Sequence, residues 1–335
     1  MTSSRPARKV KPRPREDHGF FGPGSVTWRL WGYPTSLTVG FQRSVVIEEL
    51  DPFLLAAVVG TDKVRYAPAA RYDNTIVYFA TMALGDSRAA IEASEILVRV
   101  HAKAVGIEPV SGRPYSANDP ITQLWIHLTA WHSILYVYET FGPGRLSEED
   151  ENQYWAECAI AAELQTFDPA LVPRTREGIR AYFDDVRPKL CVTTETQSMM
   201  DHLLDAAILV QPRALVLRPF TFAIGKIMRS ATISTFPRWM RNMSGFQQSW
   251  LARIFVTPLV KISARLATPL PIKLRVLKLI SPATLAVVAP ALTGEVPLNP
   301  VVVTPSEARA AYGRLASPAE LARATAAEQP VPVGA

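Results

Sequence analysis

Apolar residues recur at spacings of three and four along most of the chain, and strict apolar-polar alternation is nearly absent, so the pattern predicts an all-α protein. The turn FFGPG at Phe20–Gly24 precedes SVTWRL and marks where packed structure begins. Helical spacing over residues 37–60 is interrupted at Asp51-Pro52, because a residue before proline avoids the helical region, and two successive helices result. Pro68 lies near the start of the next, on which Arg71, Asn74, Thr75, Tyr78 and Met82 fall on one face, a polar stripe on a segment otherwise built for burial. A long helix over 86–105 stops at Gly106. Asp119-Pro120 then supplies a cap and a first turn for a helix over 120–141, which Gly142-Pro143-Gly144 ends. Ser147 and the acids after it open another. Further helices are predicted over 176–186, 193–209, 215–231, 237–255 and 272–279, with a weaker one over 305–315 capped by Thr304. The sum is a single globin-like helical domain of roughly ten helices.

Charge and composition set its limits. Arg5, Arg8, Lys9, Lys11, Arg13 and Arg15 alternate with prolines and hold much of the net charge of +6, so residues 1–17 are expected as a disordered basic tail and not as a nucleic-acid surface. The helical domain is expected over 18–297, followed by a flexible Pro/Ala-rich tail over 298–335. Cys158 and Cys191 form no paired-cysteine motif, which removes a thiolate metal site and a disulfide framework and leaves the cytoplasm as the expected compartment. No stretch reaches the roughly 20 apolar residues that a membrane span needs. Residues 250–296 nonetheless mix Arg253, Lys261, Arg265, Lys273, Arg275 and Lys278 with Leu, Ile and Val, a composition compatible with a folded core or with peripheral contact on a membrane surface.

Chemistry concentrates on histidine. His101 shares a helix face with Leu97, Ala104 and Val105, and His127 lies in the stripe Leu124, Leu128, Trp131, Leu135, so both imidazoles point inward. A core histidine with a satisfied hydrogen bond explains either one; so does a metal ligand. His132 falls on another side of its helix, and its position does not separate a ligand from a surface residue. Arg71 and Thr75 put a cation and a hydroxyl one turn apart, and a cavity with an imidazole on one side and polar donors on the other suits haem, whose axial histidine sets the iron electronics. A non-haem site of His101, His127 and an acid is the other metal option. No GxSxG, HExxH, Walker loop or GxGxxG is present, and adjacent acids such as Glu48-Glu49 are expected to diverge on a helix.

The opening FGPGSVTWRL, the Asp51-Pro52 break, RYDNTIVYF, RVHAKAVG and the block RPYSANDPITQLWIHLTAWH together resemble the rubber oxygenase (latex clearing protein) and MpaB-type oxygenase family over most of the domain. The resemblance implies a helical fold binding a b-type haem through one histidine, for which His101 is the first choice and His127 the second. It aligns Arg71, Asn74 and Thr75 with the family's Arg, Lys and Thr, so asparagine stands where the rubber oxygenases have lysine. It further implies a carboxylate base one helix earlier, matched best by Glu49 or Asp51. The implied reaction is oxidative cleavage of a carbon-carbon double bond in a hydrophobic, lipid-like substrate by dioxygen. A haem- or lipid-binding protein without catalysis is the alternative on the same scaffold.

Overall fold

The computed structural model of the chain describes residues 13–60, 68–205, 218–248 and 250–327. Local capping chemistry starts most of the helices. Ser25 accepts from the Trp28 amide to begin α1 (Val26–Trp31), and a π-helical turn over Ser36–Gly40 leads into α2 (Phe41–Glu48). Asp51 and Asp86 accept from the amides of Leu54 and Ala89, starting α3 (Pro52–Val59) and, after α4 (Pro68–Leu84), α5 (Ser87–His101). A two-stranded antiparallel hairpin follows, β1 (Val105–Ile107) with β2 (Pro114–Ser116), Gly106 facing Tyr115.

The central helix is α6 (Pro120–Phe141), capped by Asp119 and buried along nearly its whole circumference, as expected of a helix that is apolar all round. It ends at Gly142, where a Cβ would lie 2.5 Å from the Tyr138 carbonyl oxygen. Around it come α7 (Glu148–Ala162), α8 (Arg176–Val186) and α9 (Thr194–Leu204). The second half adds α10 (Arg218–Ser234), α11 (Arg238–Ser244), α12 (Trp250–Leu266), α13 (Leu270–Ile280) and α14 (Pro282–Thr293). Two short helices, α15 (Pro305–Ala311) and α16 (Pro318–Ala327), pack on α5. The fold is all-α apart from the small hairpin.

The core is centred on aromatic rings. Trp131 of α6 meets Trp31 at 5.6 Å and Tyr154 at 5.0 Å between ring centroids, with Phe21 at 6.0 Å, and all four residues are buried. A second apolar group around Trp125, Met200, Phe236 and Met240 joins α2, α6, α9 and α10.

The helices are shorter and more numerous than periodicity suggested. The helix expected over 237–255 is two, because Gly245 adopts φ +70° and ends α11 in a left-handed turn. The helix expected to end at Gly106 stops at His101, since residues 105–107 pair with 114–116 instead. Residues 282–293 are helical despite Pro282 and Pro290, the first of which occupies the opening turn where no amide partner is needed. The helix expected over 193–209 ends at Leu204, and positions 206–209 lie outside the described residues.

Residues 1–12 of the expected basic tail also lie outside the described residues, but Arg15 and Asp17 are buried. Arg15 donates to the Gly85 carbonyl at 3.2 Å, and the Asp17 carboxylate accepts from the Ser87 amide at 2.8 Å and from the Ser87 hydroxyl. Residues 298–303, expected as tail, run against this segment: the Leu298, Asn299 and Val303 amides donate to the carbonyls of Arg15, Glu16 and Gly19, and His18 donates to Val301. Tyr312 closes the arrangement, its hydroxyl 2.9 Å from that of Ser87. The two segments satisfy each other's backbone groups, which composition alone does not reveal.

Candidate functional site

His101 is the last residue of α5, and the chain after it folds back to hold the ring. Asn118 donates to the Val98 carbonyl at 2.9 Å, closing the helix end, and the Ala117 amide donates to Ala104 at 2.9 Å. Gln123, one turn into α6, donates to the Ala117 carbonyl at 2.7 Å and lies 3.4 Å from His101 Nδ1. The nearby Ala117 backbone opposes, without cancelling, the loss of the ring's proton. Gln123 therefore lies on the Nδ1 side, and among the described residues Nε2 has no hydrogen-bond partner. Desolvation, with Arg71 adding to it, pulls the ring down to about 4, so it is neutral at physiological pH.

The ring borders a cavity of about 600 Å³. One wall is the polar face of α4: Arg71, Asn74, Thr75 and Tyr78 line the space with Tyr72 beside them, while Ile76 and Ala80 pack inward. Met82, expected on the polar face, is core. Thr75 donates its hydroxyl to the Arg71 carbonyl at 2.9 Å, leaving its oxygen to accept, and Gln165 donates to the Tyr78 hydroxyl at 3.0 Å. Leu54, Ala57, Val58, Leu97, Ile126 and Leu203 supply apolar wall.

The C-terminal end of α2 brings both Glu48 and Glu49 to this cavity, contrary to the expectation that adjacent acids diverge. Glu48 is the last residue of α2 and Glu49 its cap. Ser44 donates to Glu48, whereas Glu49 Oε2 is buried without a hydrogen-bond partner. Burial raises Glu48 to about 7 and Glu49 to about 8, although the nearby Arg71 cation opposes both shifts. Asp51, the other candidate carboxylate, is not in the cavity wall; it accepts from Leu54 N at 2.8 Å as the cap of α3.

His127 also borders the cavity, but its Nε2 lies 2.9 Å from the Cys158 carbonyl oxygen and 3.3 Å from Cys158 Sγ, and its Nδ1 is buried without a partner. Desolvation lowers it to about 4. His132 is engaged elsewhere, stacked on Tyr136 beside Arg43. Among the described residues no three His, Cys, Asp or Glu are placed to hold a metal ion, so His101, His127 and an acid do not assemble as a facial triad. Sequence reasoning missed Glu48, Gln123 and Gln165 as lining residues, since each comes from a helix end or a loop that only the packed fold brings to the cavity, and His202, a candidate among the histidines, lines it as well.

The comparisons with known proteins bear on this arrangement. The family model described as ER-bound oxygenase mpaB/B'/Rubber oxygenase, catalytic domain, matches residues 28–268, a span containing every element of the cavity. The chain belongs to this oxygenase family. No curated protein and no solved structure matches it. The match is to a catalytic domain, so this mpaB/rubber oxygenase family member is an enzyme of the oxygenase type, with dioxygen and a second substrate as its partners. No helix among the described residues is long and apolar enough to cross a membrane.

Four titrating groups in the cavity wall give the stability of this oxygenase a defined pH profile. Glu48 and Glu49 keep in the folded state a proton that the unfolded chain releases above about 4.5, so their contribution to stability falls as pH rises toward 7 and 8. His101 and His127 take up a proton in the unfolded chain below about 6.5 and in the folded one only near 4, so theirs falls as pH drops through that window. The two trends oppose each other between about pH 4.5 and 6.5, giving a plateau with a decline on either side. Tm measured against pH in the cofactor-free protein is expected to show it, with a loss of a few kcal/mol by about pH 8. Glu49→Gln is expected to flatten the alkaline limb; an unchanged limb would show that Glu49 is ionised throughout.

Proposed function

We propose that this chain is a haem-b-dependent oxygenase that acts with dioxygen on a hydrophobic, unsaturated substrate, with His101 as axial ligand of the iron. The single observation that carries the reading is the neutral His101 imidazole beside the large cavity, its Nδ1 3.4 Å from the Gln123 amide nitrogen and its Nε2 without a hydrogen-bond partner among the described residues. A protein partner on the second nitrogen is common among metal-ligating histidines. The cavity volume falls in the range of about 300 to 1,000 Å³ usual for cofactor and ligand sites. Arg71 offers a cation suited to a carboxylate such as a haem propionate or to an anionic group on the substrate.

A haem b held there would supply one-electron and dioxygen chemistry. The chain's own residues bind, orient and handle protons. Leu54, Val58, Leu97, Ile126 and Leu203 would accept an apolar chain and exclude water from it. Thr75 presents a hydroxyl oxygen free to accept, and Asn74, where rubber oxygenases carry lysine, presents a neutral amide with no basic amine. Glu49, raised to about 8 and with Oε2 unpartnered, can hold a proton at neutral pH or take one from a group brought against it. Asp51 is spent as a helix cap, which favours Glu49 for that role. His127 is the weaker candidate for the iron because its Nε2 already faces the Cys158 carbonyl.

The test is an absorption spectrum of the purified protein titrated with haemin, followed by oxygen uptake with a polyunsaturated hydrocarbon or lipid. A saturable Soret band at one haem per chain and substrate-dependent oxygen uptake are expected. No band would remove the haem reading; a band without turnover on any such substrate would favour a binding protein on the same scaffold.

A further inference from the structure

The second half of the chain carries a charge pattern that the oxygenase reading does not use. From residue 206 to residue 294 the sequence contains twelve Lys or Arg and no Asp or Glu. Within this segment α12 has two unlike sides. Val256 and Val260 pack against Ile227 and Met228 of α10 and Val137 and Phe141 of α6, and Ala264 is buried. The opposite side carries Trp250, Ile254, Phe255, Ile262 and Leu266, with Trp250 at 68% and Phe255 at 69% exposure. At 100° per residue these five project within one half of the helix circumference, and the exposed Lys261 and Arg265 lie beside Trp250 and Ile254.

Large apolar side chains gathered at such exposure mark a surface that meets something other than water. We propose that the outer face of α12 docks on a lipid bilayer surface rich in anionic headgroups, its aromatic and aliphatic side chains entering the headgroup and acyl boundary and Lys261 and Arg265 meeting the phosphates. Charge complementarity selects this occupant. The acid-free segment is attracted to an anionic surface, whereas a second copy of the same face would bring two basic rows together with no carboxylate from that segment between them. Tryptophan at the start of the stripe and long cationic stems at its edge are the side chains that settle at a membrane interface. The binding mode is interfacial, since α12 at 17 residues also contains Pro258 and carries Lys261 and Arg265. It stands independently of which cofactor fills the cavity.

The test is flotation of the full-length protein with vesicles of phosphatidylcholine alone or with roughly 30% phosphatidylserine. Wild type is expected to float with the anionic vesicles, weakly with the neutral ones, and progressively less as NaCl rises from about 0.05 to about 0.5 M. Lys261→Glu/Arg265→Glu is expected to weaken anionic binding at least about tenfold, and Ile254→Asp/Phe255→Asp to abolish it. Val296→Asp/Leu298→Asp, which alters equally exposed apolar residues elsewhere, is expected to leave it unchanged. Because a variant could fail for want of folding, the wild-type protein gives a second readout: anionic vesicles should blue-shift its tryptophan emission, and Trp250→Phe should lose that shift. Absence of wild-type flotation overturns the proposal. So does binding retained by both double variants, which would assign it to the basic residues near the N-terminus. Sedimentation showing a wild-type dimer that Ile254→Asp/Phe255→Asp dissociates, with flotation unaffected, would assign the face to a second copy instead.

Discussion

His101→Ala is expected to titrate with haemin without developing the saturable Soret band of the wild type and to lose at least roughly a hundredfold in oxygenase turnover, while unfolding at nearly the same temperature. Removing a residue that only supports a metal ligand costs about 10- to 100-fold, and on the proposed reading the ligand itself is lost. Stability should change little because His101 is only half-buried, its ring borders empty space, and alanine is a good helix former at the end of α5. Added imidazole should restore part of the band by entering the space the side chain vacates. His127→Ala supplies the contrast: it should keep the band but lose stability, since it empties a packed site between Trp131 and Phe167. The reverse pattern, band lost in His127→Ala and kept in His101→Ala, would transfer the ligand role to His127.

Trp131→Ala is expected to have the largest effect on stability. The indole is 1% exposed and sits among Phe21, Trp31, His127 and Tyr154. Rigid aromatic neighbours collapse poorly into the space left behind, so the cost should reach about 3 to 5 kcal/mol, lowering Tm by roughly 6 to 15 °C. Chemical denaturation followed by circular dichroism measures it, and Trp131→Phe should recover part of the loss. A change under about 1 kcal/mol would mean that the cluster does not hold α1, α6 and α7 together as described.

Much of this architecture could be read from residues that act locally. Asp119, Pro120 and Gly142 bound α6 at the residues predicted, because a cap, a first-turn proline and a terminating glycine each act within one turn. The polar stripe Arg71, Asn74, Thr75, Tyr78 was visible as a mismatch between a buried helix and its side chains, and it does line the cavity. What depended on distant partners was not legible. As a pair Glu48 and Glu49 were set aside on helical geometry, with Glu49 kept only through the family resemblance, yet both reach the same space. Gln123 gains its place beside His101 only because a hairpin forms across residues 105–116, and each strand is three residues long, too short for alternation to register. The packing of residues 13–19 against 298–303 is carried by backbone groups, which leave almost no mark on side-chain pattern.

That backbone strap has a consequence for how the protein matures. Asp17 grips the first residue of α5, and Tyr312 grips the same residue from the other side, so the helix that ends in His101 is anchored by contributions made nearly 300 positions apart. A nascent chain that has emerged as far as α6 already carries His101, Gln123, the α4 stripe and Asp17, yet Ser87 gains its second partner only once Tyr312 has left the ribosome. Full anchoring of that helix is thereby deferred to the closing stage of synthesis.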